Sequence, residues 1–310
     1  MALVYAAAGL LSLCGVIAYI TYRICFHSPH KGQNDIYNIP QGEQYERRRE
    51  RMVSMITQTA AIPCEIVAMT NRKGMVLKGR YYHQQDGAPV AICFHGYRGT
   101  SIRDFSGGCQ YALELGHNVL MIDQRAHSLS EGHTIGFGVT ERLDCLDWID
   151  YVIERCGKDV EIALHGISMG AATVLLAAGM ELPENVRCVV ADSPYNHPRD
   201  IIRKVCKDMG FPPALVYPFI ALGARLFGQL RLNDGNVVAA AANAKIPILI
   251  IHGEDDRLVP CHMSEIIQQA NPGLIERQTF PNAGHGISYT EDKLRYQRIM
   301  REFTKKHIQL

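Results

Sequence analysis

The chain opens on an unbroken apolar run, with no charged residue from Ala2 to Ile20. About 19 residues at ~1.5 Å each make roughly 28 Å of helix, close to the ~30 Å hydrocarbon core of a bilayer. Tyr19 and Tyr22 stand where an interfacial aromatic belt would be, and Arg23 closes the run. A cleaved signal peptide would carry its positive charge before the apolar core. Here Arg23, Lys31, Arg47, Arg48, Arg49 and Arg51 all follow it. The pattern predicts an uncleaved, single-pass membrane anchor over 1–26. By the positive-inside tendency, the N-terminus faces out and the rest of the chain is cytoplasmic.

Residues 27–62 read as a polar linker. Within it, Gln41 to Thr59 suits a charged juxtamembrane helix with Met52, Val53, Met55 and Ile56 as a short apolar stripe. A solvated helix is the plain reading and lipid contact the sharper one. Beyond it the period changes. Glu65–Met69 and Met75–Tyr82 flank Asn71-Arg72-Lys73-Gly74, as the arms of a hairpin flank its turn. Strands are then expected at 90–94, 118–123, 160–165, 187–191, 246–251 and 275–280. The helices expected among them are 139–156, 169–181, 261–270 and 290–306, the last opened by Ser288 and Glu291 as a capping box. Near-continuous apolar strands alternating with helices predict an α/β fold with a mostly parallel central sheet covered on both faces.

Pro194 to Val237 interrupts that rhythm with Leu215, Val216, Phe219, Ile220, Leu222, Leu226 and Phe227. Its place between two strands suits a helical cap inserted above the sheet, with ordinary core helices as the alternative. Composition narrows the classes. The 310 residues are 47% hydrophobic, enough for a sizeable core, and a net charge of +1 offers no general attraction for nucleic acid. The ten cysteines are scattered and form no C-x-x-C pair, as expected of small buried hydrophobes in a reducing compartment. No metal motif and no phosphate-binding glycine loop is present, so neither metal nor cofactor is expected. Oligomeric state leaves no mark in the sequence.

The chemistry centres on Ile162-Ala163-Leu164-His165-Gly166-Ile167-Ser168-Met169-Gly170. An apolar strand, a G-x-S-x-G turn and a run of small residues together read as a nucleophile elbow, which lifts a serine hydroxyl clear of a sheet. A serine hydroxyl needs a base within hydrogen-bond reach, and the base needs a carboxylate to hold its tautomer. Two later loops offer them: His252-Gly253-Glu254-Asp255-Asp256 after one strand and Gly284-His285-Gly286 after another. Asp256 is the preferred acid, with its neighbour Asp255 and the strand-end Asp192 as alternatives.

These pieces together resemble the α/β-hydrolases, over about residues 64–308. The order Ser168, Asp256, His285 is theirs, and so are His95-Gly96-Tyr97-Arg98-Gly99, the Asp123-Gln124-Arg125-Ala126-His127-Ser128 loop and His252-Gly253…Asp256…Val259-Pro260. The chain is similar in particular to bacterial single-pass hydrolases of the esterase and serine-aminopeptidase-like branch. The resemblance implies an α/β-hydrolase domain over 63–310 with its cap at about 194–237. It implies Ser168 as nucleophile, His285 as general base and acid, and Asp256 as its orienting carboxylate. The backbone N–H groups of Tyr97 and Met169 would form the oxyanion hole. His95, His165 and His252 would be structural and His127 a support of the site, in a turn where Ser128 replaces the family's small glycine. The reaction implied is hydrolysis of a carboxylic ester or thioester with a small hydrophobic or acyl substrate. Amide or peptide cleavage, acyl transfer, and a membrane-tethered binding module of little turnover are the alternatives.

Overall fold

The computed structural model describes residues 1–28 and 35–309. Lys31, counted above among the positive charges, lies outside them. The apolar run forms α1 (Ala2–Cys25), a helix of 24 residues that continues past Arg23. Of it, Val4–Cys25 is long and apolar enough to cross a membrane. Two linker helices follow, α2 (Glu43–Glu46) and α3 (Arg49–Ala60). The hairpin is β1 (Glu65–Thr70) and β2 (Val76–Tyr82), and Asn71 closes its turn by accepting from the N–H groups of Lys73 and Met75. Then come β3 (Val90–Phe94), α4 (Ser101–Glu114), β4 (Asn118–Asp123), α5 (Glu141–Cys156), β5 (Ile162–Ile167), α6 (Met169–Ala178) and β6 (Val186–Asp192). The insertion holds α7 (Pro198–Asp208) and α8 (Pro213–Phe227), and α9 (Val237–Asn243) follows it. The chain ends with β7 (Ile248–Gly253), α10 (His262–Ala270), β8 (Ile275–Phe280), α11 (Ser288–Glu291) and α12 (Lys293–His307).

The eight strands form one sheet in the order β1-β2-β4-β3-β5-β6-β7-β8. Pairing is antiparallel from β1 through β2 to β4 and parallel from β4 to β8. This is the mostly parallel α/β sheet expected, with helices on both faces. The central strands β3 and β4 are buried along their whole length, which is why they read as apolar runs rather than alternating ones. All of α6 is buried too, so its sequence is small and aliphatic all round.

Three elements depart from the sequence reading. Helix α4 was not among those expected, because Gly107 and Gly108 interrupt its pattern and the backbone kinks at Phe105. Gly107 is required by packing, since a Cβ there would run into the ring of Tyr289. Ser288 does not cap the last helix. It opens the short α11, and Asp292 caps α12 by accepting from the N–H of Arg295. The linker, finally, is no solvated helix. Ile56 is fully buried with Phe105 and Cys109, and the Thr59 hydroxyl donates to Ser106 O at 2.7 Å, so α3 packs on α4 as part of the body.

Candidate active site

The elbow stands where β5 turns into α6. Ser168 takes φ 57° and ψ −114°, a conformation costly for a residue with a Cβ and held here by its surroundings. Its N–H donates to Asp192 O at 2.8 Å, and its C=O accepts the first helical bond, from Ala172 N at 3.0 Å. The flanking glycines answer to close approach. A Cβ on Gly166 would collide with the backbone of Gly170, and one on Gly170 would collide with that of Phe94.

Loops after β7 and β8 bring the other two side chains to this hydroxyl. His285 Nδ1 donates to Asp256 Oδ2 at 2.7 Å, which leaves Nε2 to accept from Ser168 Oγ at 2.9 Å. Asp256 Oδ1 accepts from the N–H groups of Leu258 and Val259 at 2.9 and 2.8 Å. His252 Nε2 lies 3.3 Å from Asp256 Oδ2 and 2.8 Å from Val259 O. Of the alternative acids, Asp255 is exposed, and Asp192 accepts instead from Ser193 Oγ at 2.8 Å and Tyr296 OH at 3.4 Å. The charges fit these roles. Burial alone would raise the Asp256 carboxyl, but the attraction of His285 and the hydrogen bonds of His252 and His285 outweigh it and hold it well below the usual range. For His285 burial works downward, and Asp256 overcomes it and raises the imidazole above 6.5. Burial pushes Asp192 up to about 6.

The Gly96–Gly99 turn lies beside the elbow, where a Cβ on Gly96 would come within 3.4 Å of the Ser168 Cβ. Asp104 Oδ2 accepts from Gly96 N at 2.8 Å, and His127 Nε2 accepts from Arg98 N at 3.1 Å. Among the described residues, the Tyr97 N–H is left uncommitted between them. The Met169 N–H belongs to the first turn of α6, where no intrahelical acceptor exists. His95 braces the turn by accepting from Gln124 N at 3.1 Å and pairing Nδ1 with Gly96 O at 2.8 Å. Burial drives His127 down to about 3, which keeps it a neutral acceptor. The supporting loop forms without the family's glycine. Ser128 itself takes φ 43° and Ala126 takes φ 63°, and the buried Arg125–Asp144 pair holds the loop's base.

The turn is also tied to the N-terminal helix. Tyr97 OH donates to Cys25 O at 2.9 Å, and Arg98 donates to Ile24 O at 2.8 Å. Both acceptors are carbonyls of the last turn of α1, which lack helical partners and favour a cation nearby.

A cavity of about 490 Å³ opens from Ser168 and His285. One wall is the linker, with Gln44, Tyr45, Met52 and Met55; another is α4, with Asp104 and Phe105; Asp192, Tyr296 and Met300 lie among its other lining residues. None of the lining residues falls in 194–237. The insertion does sit between β6 and β7, but its apolar side chains do not line this cavity. Sequence reasoning missed both Asp104 and Tyr45. The Tyr45 hydroxyl donates to His285 O at 3.0 Å, across 240 positions of sequence. Its only sequence signal was an aromatic residue in an otherwise charged stretch. Among the described residues no group of three or more His, Cys, Asp or Glu is arranged to hold a metal ion.

This sheet order, elbow and strand-end loops make the chain an α/β-hydrolase-fold protein. A profile of the alpha/beta hydrolase fold matches residues 89–208. The chain is 26% identical over 231 residues to the uncharacterized protein YqkD of Bacillus subtilis, covering 74% of this chain and 75% of that one. It is 28% identical over 187 residues to the lysophosphatidylserine lipase ABHD12 of Xenopus tropicalis, covering 57% of this chain and 45% of that one. The chain therefore spans about half the length of that relative. Among solved structures, the Pyrococcus furiosus esterase Pf2001 superposes with a TM-score of 0.66 at 21% identity, over 91% of this chain and 97% of that one. At that identity the superposition speaks for the fold.

Proposed function

We propose that this protein is a membrane-tethered serine hydrolase that cleaves a carboxylic ester or thioester of an acyl chain through an acyl-enzyme. The observation that carries the reading is the continuous hydrogen-bond chain Ser168–His285–Asp256, at 2.9 and 2.7 Å, opening on a cavity walled partly by methionine and aromatic side chains. Ser168 Oγ attacks the carbonyl carbon as His285 Nε2 takes its proton, and Asp256 stabilises the imidazolium. The tetrahedral oxyanion accepts from the N–H groups of Tyr97 and Met169, each worth about 3–4 kcal/mol at this point. The C–O or C–S bond to the leaving group breaks as His285 returns the proton to it. Water then attacks the acyl carbon as His285 Nε2 takes its proton, and the bond from that carbon to Ser168 Oγ breaks as His285 returns the proton to Oγ, which frees the carboxylic acid and restores the serine.

The lysophosphatidylserine lipase among the sequence relatives supports ester cleavage and an acyl substrate. Helix α1 anchors the enzyme in the cell membrane. Arg23 and the cluster of Arg47, Arg48, Arg49 and Arg51 favour a cytoplasmic site. The test is labelling with a fluorophosphonate probe, followed by turnover of a nitrophenyl ester series alongside matched anilides. Wild type is expected to label and Ser168→Ala to lose both labelling and turnover, by about 10⁴-fold or more. A folded wild type that does not label would return the chain to the binding-module reading. Faster anilide than ester turnover would make it an amidase.

A further inference from the structure

Helix α8 is 15 residues long, carries one charge, Arg225, and leaves large apolar side chains in the open. Leu215 is 68% exposed, Leu226 56% and Phe227 41%. A soluble lid would turn such residues onto the substrate, but none of them lines the cavity. An apolar face of this kind marks a surface that something else covers.

What covers it is indicated by the helix beside it. Helix α8 packs on the last two turns of α1. Thr21 Oγ1 donates to Phe219 O at 3.0 Å, Gly223 lets the backbone reach Ala18 O, and the rings of Tyr19 and Phe227 meet edge-on at 5.1 Å. Tyr22 is buried at the same junction. The exposed Ile20 and Ile24 of α1 and the exposed residues of α8 therefore belong to one packed unit. The flanks suit an anionic surface. Between Pro198 and Arg231 the two carboxylates are already paired, Asp200 with Arg199 and Asp208 with Lys204. Arg203, Lys207, Arg225 and Arg231 remain exposed to solvent.

We propose that the α8 face of the insertion is a membrane-docking surface: it lies in the headgroup and upper acyl region of the bilayer, beside the exit of α1, with its basic flanks against anionic lipid headgroups. The insertion is then a foot on the membrane rather than a lid on the cavity. Because Tyr97 and Arg98 hold the last carbonyls of α1, the foot also fixes the height of the oxyanion turn above the lipid. The proposal rests on α1 spanning the membrane.

The test uses the full chain in phosphatidylcholine–phosphatidylglycerol vesicles, with tryptophan placed at Leu215, Leu226 or, as the anchor control, Leu11. All three positions are exposed and Trp148, the chain's own tryptophan, is buried in the core, so the added emission is separable. Brominated acyl chains are expected to lower that emission about twofold at all three positions, with aqueous iodide having little effect. Leu11→Trp quenched by bromolipid while Leu215→Trp and Leu226→Trp are quenched by iodide would overturn the foot and leave the anchor standing. Shielding of the α8 positions from both quenchers would mean a second copy covers the face, and would also overturn it. No bromolipid quenching at Leu11 would remove the anchor and the foot together.

Discussion

Two segments flank the α/β-hydrolase-fold body, and each covers what its composition does not suggest. The linker, Gln41 to Ala60, is rich in charge, yet it closes the cavity with Tyr45, Met52 and Met55 and buries Ile56 completely. The insertion, from α7 to α8, is rich in leucine and phenylalanine, yet it contributes nothing to that cavity and leaves Leu215 and Leu226 in the open. Mean polarity therefore does not say what a segment packs against. A few side chains in register with a neighbour outweigh the charged majority, which faces water at little cost. The linker has such a register against α4; the insertion has its register against α1.

The linker closes the cavity that opens from Ser168 and His285, and substitution in their hydrogen-bonded set with Asp256 is expected to have the greatest consequence. Asp256→Asn should lower kcat about 10⁴-fold, since the histidine loses both its tautomer and its counter-charge. Titration of the His285 imidazole by NMR should show its pKa falling from the wild-type value, because burial is then less opposed. In the wild type that pKa is raised, so kcat/KM should climb with pH through a value above 6.5. The linked stability runs in two directions. The His285 contribution is present below the unfolded histidine pKa and fades as pH rises through the raised folded value. The Asp256 contribution is present above the unfolded carboxyl pKa and is lost as pH falls through its lowered value. Urea melts across pH should therefore peak between the two.

Matched truncations sharpen the contrast next. Ile56→Ala in the linker should cost about 2–5 kcal/mol in denaturant unfolding. Leu215→Ala in the insertion should stay within about 0.5 kcal/mol in detergent. Equal losses would mean the two segments are packed alike. A third comparison concerns substrate. Met55→Trp should lower kcat/KM for the longest nitrophenyl ester about tenfold and spare the acetate, because added bulk fills the cavity's linker wall. Leu222→Trp should leave the whole soluble-ester series unchanged. The smallest effect is that of Tyr45→Phe, which removes one neutral hydrogen bond to the His285 carbonyl. About 1 kcal/mol, or roughly fivefold, should be lost in kcat with KM unmoved. A fall in KM-limited binding instead would make Tyr45 a substrate contact rather than a positioning residue.

Much of the centre was legible because its requirements are local. Gly166 and Gly170 must be glycine for Ser168 to stand in its strained turn, and both lie within two residues of it. The loop of Asp256 follows the apolar run Ile248–Ile251 and that of His285 follows the strand Ile275–Phe280, so their place at strand ends could be read from order alone. Asp104 could not, since a carboxylate eight positions from Gly96 carries no sign that it will fold back to hold that N–H. Helix α4 was hidden for a related reason: the glycine that weakens its pattern is there for Tyr289, a residue 182 positions away.

Sequence alone determined the α/β alternation, the elbow, the apolar N-terminal helix and the order of the three candidate side chains. Each depends on short-range periodicity or on a backbone conformation that only certain residues adopt. Tertiary structure alone decided that the linker walls the cavity, that the insertion leans on α1, and that Tyr97 and Arg98 tie the Gly96–Gly99 turn to the end of that helix. Those outcomes turn on which surfaces meet when the chain closes. A contact between residues hundreds of positions apart is chosen by the packing of the whole, and neither partner's neighbours record it.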